Sequence, residues 1–268
     1  MIIEGNSGCI LKILNNNNIK KYTLNKNYSN RLKAQRNKQQ YFLNHFNIKN
    51  INTPRITSSC YGSFTMEYLQ YFQNFISYLN ICDKNEIDEI VNKLIALIDA
   101  FIRASEFQKI NFSIIEKKFN LIDKKEYKQK LDKYFNTFNK NDIYIPVGFC
   151  HGDLTFSNIL FFEDKISIID FLDTFLESPL QDMVKLRQDT KYLWSFNMYK
   201  GFFDKNKISI ILEYMDKILK THFNKYDFYI KHYKLFQFLN FARILPYCKD
   251  KDQKDFINES IEDIINNE

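Results

Sequence analysis

One stretch of the chain sets oxygen-bearing side chains at spacings that suit chemistry on a phosphate. It runs Cys150-His151-Gly152-Asp153-Leu154-Thr155-Phe156-Ser157-Asn158-Ile159-Leu160, then Phe161-Phe162-Glu163-Asp164-Lys165 and Ile166-Ser167-Ile168-Ile169-Asp170-Phe171. Ile159 to Phe162 and Ile166 to Ile169 read as two apolar strands around a polar turn. A hairpin of these strands brings Asp170 back beside Asn158. Asp153 lies five residues before Asn158, across a loop, so three oxygen donors meet at one end of the hairpin. Mg2+ is a hard cation that takes oxygen ligands, few from protein and the rest from phosphates and water. Asn158 and Asp170 suit that role, and Asp153 suits taking the proton of an attacking hydroxyl.

Protein kinases use the same order: a His-x-Asp, an Asn five residues on, and a further Asp after a hairpin. The segment His151-Gly152-Asp153-Leu154-Thr155-Phe156-Ser157-Asn158 resembles the catalytic loop of the aminoglycoside phosphotransferase and choline kinase superfamily, small-molecule kinases with a protein-kinase-like fold. Ile168-Ile169-Asp170-Phe171 resembles that superfamily's metal-binding segment. Glu177-Ser178-Pro179-Leu180-Gln181-Asp182 resembles its Asp-Pro-x-x-Asp element, with Glu177 or Ser178 in place of the first acid. Gly152 stands where protein kinases carry an Arg that holds a phosphorylated activation loop. The resemblance implies an ATP-dependent, Mg2+-requiring kinase acting on a hydroxyl of a small metabolite, such as an amino alcohol, a sugar or an aminoglycoside-like compound. It assigns Asp153 as catalytic base, His151 as a brace of the loop, and Asn158 and Asp170 as metal ligands. Two alternatives are a protein kinase and a catalytically inactive nucleotide-binding module. Gly152 and the missing Asp-Phe-Gly and Ala-Pro-Glu signatures stand against the first, and the intact Asp153, Asn158 and Asp170 against the second.

These residues need elements to position them. Residues 1 to about 28 read as short strands, with Asn15 to Asn18 as a turn before Ile19-Lys20-Lys21-Tyr22-Thr23-Leu24. Ser29 or Asn30 suits the cap of a helix whose face carries Leu32, Gln35, Gln39, Phe42 and Phe46. Ser63 to Leu69 alternates like a strand. Ile90, Val91, Leu94, Leu97, Ile98 and Phe101 form one helical stripe, and the chain after Pro179 is mostly helical in pattern. The order predicts an α+β, bilobal fold, a small N-terminal antiparallel sheet lobe over residues 1–69 and a larger, mainly helical C-terminal lobe over 70–268, and the resemblance implies that it is protein-kinase-like.

The nucleotide side is read from the first lobe. Gly5-Asn6-Ser7-Gly8 is either a turn whose backbone amides cradle phosphates, with Gly5, Ser7 and Gly8 as contacts, or an ordinary hairpin turn. A kinase-like site needs a cation on the third strand, and Lys20 and Lys21 are the candidates. Lys21 is preferred, sharing its face with Ile19 and Thr23. Met66-Glu67-Tyr68-Leu69 resembles a hinge between lobes, so Glu67 and Tyr68 are expected to offer backbone groups to an adenine edge. The resemblance also calls for a Glu on the helix over 30–46 to pair with the strand lysine. That helix contains no acid, and Gln35 or Gln39 is expected in its place.

Composition narrows the partners. The chain of 268 residues is 45% hydrophobic and 26% charged, enough apolar surface to exclude wholesale disorder. The net charge of +6 is spread too evenly to indicate a nucleic-acid partner. Five cysteines without a Cys-x-x-Cys pair argue against a zinc site or a disulfide framework. No apolar run nears the ~20 residues that span a bilayer, and no signal peptide is visible, so no membrane association and a cytoplasmic location are expected. For the acceptor, Asp173 and Glu177 suit a cationic amine. Tyr192-Leu193-Trp194 with Lys185, Arg187 and Lys191 suits a sugar or an anion.

Overall fold

The structure is a computed structural model that describes residues 2–4, 9–14, 16–199, 201–248 and 250–268. The expected phosphate contacts Gly5, Ser7 and Gly8 lie outside the described residues.

Three strands open the chain: β1 (Ile2–Glu4), β2 (Ile10–Ile13) and β3 (Asn18–Tyr22). Helix α1 (Lys26–His45) begins earlier than Ser29, because the Asn25 side chain accepts from the Asn27 N–H at 3.0 Å and caps it there. After β4 (Ile51–Asn52) come β5 (Ile56–Cys60) and β6 (Ser63–Glu67). Five of these strands form an antiparallel sheet in the order β1-β2-β3-β6-β5.

The chain continues through β7 (Gln73–Asn74), α2 (Phe75–Leu79), α3 (Lys84–Arg103), β8 (Glu106–Ile110), α4 (Phe112–Asn120), α5 (Lys128–Phe135) and β9 (Ile143–Val147). The hairpin β10 (Ile159–Phe162) and β11 (Lys165–Ile168) follows, then α6 (Pro179–Thr190), α7 (Trp194–Met198), α8 (Lys205–Phe223), α9 (Asp227–Ala242) and α10 (Lys251–Asn267). The hairpin is flanked in a second sheet of order β4-β11-β10-β7. Ile166 pairs with Ile51 in parallel, and Leu160 with Asn74 antiparallel. Strands from the N-terminal third of the chain therefore clamp both edges of the hairpin. Among the described residues no helix is long and apolar enough to cross a membrane.

The stripe read for α3 is buried as expected, and a capping box of Asp83 and Glu86 starts that helix. Helix α6 is buried on every side, charged residues included. A helix polar in sequence and buried throughout must satisfy its charges internally, and the site depends on how it does so.

Helix α1 joins two apolar clusters. Leu32 packs in a small one with Cys9, Phe64 and Met66 beneath the five-stranded sheet. Phe42 belongs to the main core, its ring 6.1 Å from that of Phe101 and 5.7 Å from that of Phe171, the residue after Asp170. Burying an aromatic ring at such a junction ties the sheet to the Asp170 loop. Phe42→Ala should lower unfolding free energy by about 3–5 kcal/mol, read from urea denaturation. A loss under about 1 kcal/mol would show that this ring does not hold the junction.

Candidate active site

The segment 150–158 runs between β9 and β10, and two carboxylates of α6 hold it from below. Ser178 caps the helix, its Oγ accepting from the Leu180 N–H at 3.3 Å and donating to the Pro146 carbonyl at 2.6 Å. Asp182, in the first turn and fully buried, accepts the backbone N–H of His151 at 2.5 Å and of Gly152 at 2.8 Å. Burial pushes its carboxyl up to about 7, against the pull of those two N–H groups. Two turns further along, Asp189 accepts the N–H groups of Phe156 at 2.5 Å and Ser195 at 2.6 Å, and burial pushes it up to about 6. The loop thus hangs from one rigid helix at both ends.

His151 is fully buried. Its Nε2 meets the Ile169 carbonyl at 2.8 Å and its Nδ1 meets the Asp153 N–H at 3.2 Å, a pattern satisfied by the Nε2-protonated tautomer. Burial lowers its pKa to about 4, so the ring is neutral at pH 7. Gly152 has φ +86°, and a Cβ there would lie 2.0 Å from the Leu172 carbonyl oxygen. The two backbones touch, with the Leu172 N–H donating to the His151 carbonyl at 2.9 Å. Any side chain, including the arginine of protein kinases, would break this contact.

The hairpin brings the oxygen donors together. Ile159 faces Ile168 in the ladder, and the Ile169 N–H donates to the Asn158 carbonyl at 3.0 Å, so Asp170 emerges beside Asn158. Asp170 has φ +62°, a left-handed conformation that Asp tolerates better than most residues. Asn158 donates through Nδ2 to the Asp153 carbonyl at 2.8 Å and to Asp153 Oδ2 at 3.2 Å. Its Oδ1 makes no hydrogen bond among the described residues. No group of three or more His, Cys, Asp or Glu there could hold a metal ion alone. Asn158 Oδ1 and the Asp170 carboxylate are hard oxygens, the donor set that suits a cation completed by phosphate and water. Asp153 Oδ1 lies 2.9 Å from the ammonium of Lys185, which is 4% exposed on α6. Burial would push the Asp153 carboxyl up, but Lys185 and Arg243 outweigh it and hold it below the usual range.

On the sheet side, Lys21 is 2% exposed and Lys20 lies on the opposite face, its ammonium 5.9 Å from the Tyr22 ring. The Lys21 ammonium meets Asp170 Oδ1 at 2.8 Å. This corrects the expectation of a glutamine partner. Gln39 donates instead to the Pro54 carbonyl at 2.6 Å, and Gln35 Oε1 is buried without a hydrogen bond. A buried ammonium is better matched by a full negative charge than by an amide. Helix α1 contributes a cation in place of an acid: Lys38 reaches Glu177 at 2.5 Å and the Leu172 carbonyl at 2.6 Å.

Further expectations are corrected. The N–H groups of Glu67 and Tyr68 are committed to the carbonyls of Arg55 and Asn17, and the Glu67 carboxylate to Arg55. Among the described residues the N–H groups of Leu69 and Gln70 make no backbone hydrogen bond. Glu177, taken by Lys38, is not available to a substrate amine. Arg187 grips Asp216 with two bonds of 2.9 Å, and Lys191 pairs with Asp263 and Glu268, so neither faces an acceptor. Of the basic set read after Pro179, Lys185 alone reaches the site. Asp182, Lys185 and Asp189 recur at helical spacing, the one signal in the sequence for this arrangement.

Residues 122–199 match the sequence profile of the phosphotransferase enzyme family. No curated protein matches the chain. Among solved structures, choline kinase LicA from Streptococcus pneumoniae aligns with TM-score 0.60 and 13% identity, over 98% of this chain and 91% of that one. The GDP complex of aminoglycoside 2'-phosphotransferase-IIIa aligns with TM-score 0.59 and 16% identity, over 99% and 92%. APH(2")-IIa, in a ternary complex with streptomycin and ATP, aligns with TM-score 0.55 and 14% identity, over 99% and 92%. The chain has the protein-kinase-like α+β fold of these enzymes, and its resemblance to the aminoglycoside phosphotransferase and choline kinase superfamily stands.

The His151 environment gives a pH test. The unfolded chain takes up this proton near pH 6.5, the folded one only near 4, so its contribution to stability is lost as pH falls through that interval. Asp182, raised to about 7, acts oppositely, its contribution fading as pH rises towards 7. An NMR titration should place the His151 imidazole near pH 4, and His151→Gln should remove the loss on acidification. A midpoint at 6 or above would contradict the buried, neutral brace.

Proposed function

We propose that the protein is a kinase that moves the γ-phosphoryl group of ATP to a hydroxyl of a small metabolite, with Mg2+ as cofactor. In this reading residues 1–69 hold the nucleotide and 70–268 supply the catalytic groups and the acceptor site. One observation carries it: Lys21 pairs with Asp170, Asn158 bonds Asp153, and the Ile169 N–H on the Asn158 carbonyl sets Asp170 next to Asn158, so the four residues stand side by side. When bound, Mg2+ would neutralise charge developing on the phosphates, held by Asn158 Oδ1 and the Asp170 carboxylate.

The protein's own groups do the rest. Asp153 takes the acceptor proton as the hydroxyl oxygen forms its bond to the γ-phosphorus. The bond from that phosphorus to the β-bridging oxygen breaks, and ADP leaves with the electron pair. Asn158 fixes the Asp153 carboxylate through Nδ2. Lys21, paired with Asp170 in the nucleotide-free protein, has the reach and charge to contact phosphates once Asp170 turns to a cation. His151, neutral and bonded on both ring nitrogens, holds the loop and moves no proton. Leu69 and Gln70 offer the N–H groups for a base edge. Free thiols at all five cysteines suit a reducing compartment such as the cytoplasm.

An ADP-release assay against amino alcohols, sugars, hydroxy acids and aminoglycosides tests the activity. Asp153→Asn should cut turnover about 100-fold or more, the scale of positioned proton transfer, while nucleotide binding stays. Near-normal turnover would reject Asp153 as base. Asp170→Ala should abolish activity and Asn158→Ala should raise the Mg2+ requirement. Lys21→Ala should raise the nucleotide KM more than it lowers kcat, and Lys20→Ala should do little. A greater sensitivity at Lys20 would place the phosphate contact on the other strand face.

A further inference from the structure

The acceptor side of Asp153 is unusually basic. Lys185 pairs with Asp153 at 2.9 Å. On the same face of α6, one turn on, Gln188 accepts from Asn240 of α9 at 2.6 Å through Oε1, leaving its Nε2 a buried donor without a partner. Arg243 follows Asn240 by three residues at the end of α9, on the face that meets α6. Phe236, one turn before Asn240, packs against Phe175 of the Asp170 loop with ring centroids 6.1 Å apart. Lys118 of α4 sits over the Phe175 ring at 5.8 Å.

Arg243 is near enough to Asp153 to lower its carboxyl and near enough to Lys118 to lower its ammonium, so with Lys185 three cations from three helices gather towards Asp153. Arg243 and Lys118 are half-buried, and neither makes a hydrogen bond or ion pair among the described residues. Burial lowers the Lys118 ammonium, and the charge of Arg243 lowers it further, so the two cations feel each other. Asp153, the acid that feels Arg243, is already paired with Lys185, so the cluster carries surplus positive charge that an anionic ligand would neutralise. Asp173, the acid of the neighbouring loop that has no partner among the described residues, is exposed.

We propose that the hydroxyl acceptor carries an oxyanion, a carboxylate or a phosphate, bound by Arg243 and Lys118 beside the Asp153–Lys185 pair. This rests on the phosphotransfer reading above. A guanidinium binds either oxyanion through paired N–H groups, and the same cations repel an amine. The amino alcohols and aminoglycosides suggested by the sequence are thereby disfavoured as acceptors.

ADP release should be measured with D-glycerate, D-gluconate and sn-glycerol 3-phosphate against choline, ethanolamine, kanamycin and D-glucose. At least one anion should be the preferred acceptor, the acids marking a carboxylate site and glycerol phosphate a phosphate site. Arg243→Gln should raise its KM about tenfold or more, the worth of a charged hydrogen bond, with a much smaller change in the nucleotide KM. Arg243→Lys should recover part of that affinity, and Lys118→Gln should cause a smaller rise. Preference for an amine or for glucose, or an unchanged acceptor KM in a folded Arg243→Gln variant, would overturn the proposal. So would failure of all three anions while Mg2+ and nucleotide still bind by calorimetry, an outcome that leaves phosphotransfer standing. Absence of nucleotide binding to the unaltered protein would sink both readings together.

Discussion

The Asp182 carboxylate fixes where the catalytic loop can lie. Two consecutive backbone N–H groups, of His151 and Gly152, end on its two oxygens in a site without water access. Each buried donor left unpaired costs about 1–3 kcal/mol, so the loop has no comparable alternative position. The remaining arrangement follows from it. With His151 fixed, its ring reaches the Ile169 carbonyl and its own carbonyl receives Leu172, and the Asp170 loop is drawn against Gly152. Asp153 and Asn158 are then held between two turns of α6, which supplies Lys185 from the same face.

Charge is balanced across the cleft by single long side chains. Lys21 from the sheet ends on Asp170, and Lys38 from α1 ends on Glu177. Both ammonium groups are nearly inaccessible while their carboxylates are about two-fifths exposed, 41% and 38%. The cations are therefore committed to the interior; Asp170 stays open to exchange its partner at the cleft, whereas Glu177 is held further by the Thr174 N–H. That asymmetry suits a site in which an incoming cation takes over Asp170 and phosphate takes over Lys21.

The parts of this arrangement set by local pattern were legible in the sequence. Period-two alternation put Lys21 inward and Lys20 outward, and the apolar hairpin returned Asp170 to Asn158. The stripe on α3 is as regular in space as in the sequence. What escaped reading depends on partners distant along the chain. At the hinge the N–H groups of Glu67 and Tyr68 are taken by the carbonyls of Arg55 and Asn17, partners that local pattern does not show. The lysine partner moved from Gln35 or Gln39 to Asp170, a choice made by desolvation between elements. The steric need for Gly152 is a backbone-to-backbone contact, to which side-chain patterns are blind. In the sequence Lys185 is one of several bases after Pro179, and only the packing of α6 separates it from Arg187 and Lys191.

The pairing of β4 with β11 bears on how the chain reaches this state. Ile51 and Asn52 lie early in the sequence, yet their hydrogen-bonding edge is completed only by Ile166 and Ser167. Closing so long a loop costs chain entropy that local contacts cannot offset in advance. On a ribosome, the first five-stranded sheet can pair as it emerges, with only a four-residue buried cluster beneath it. Its neighbouring edge must wait, uncovered, until the hairpin and then α6 have been synthesised. Maturation of the catalytic loop is therefore a late event, coupled to the moment when β4 first meets the hairpin.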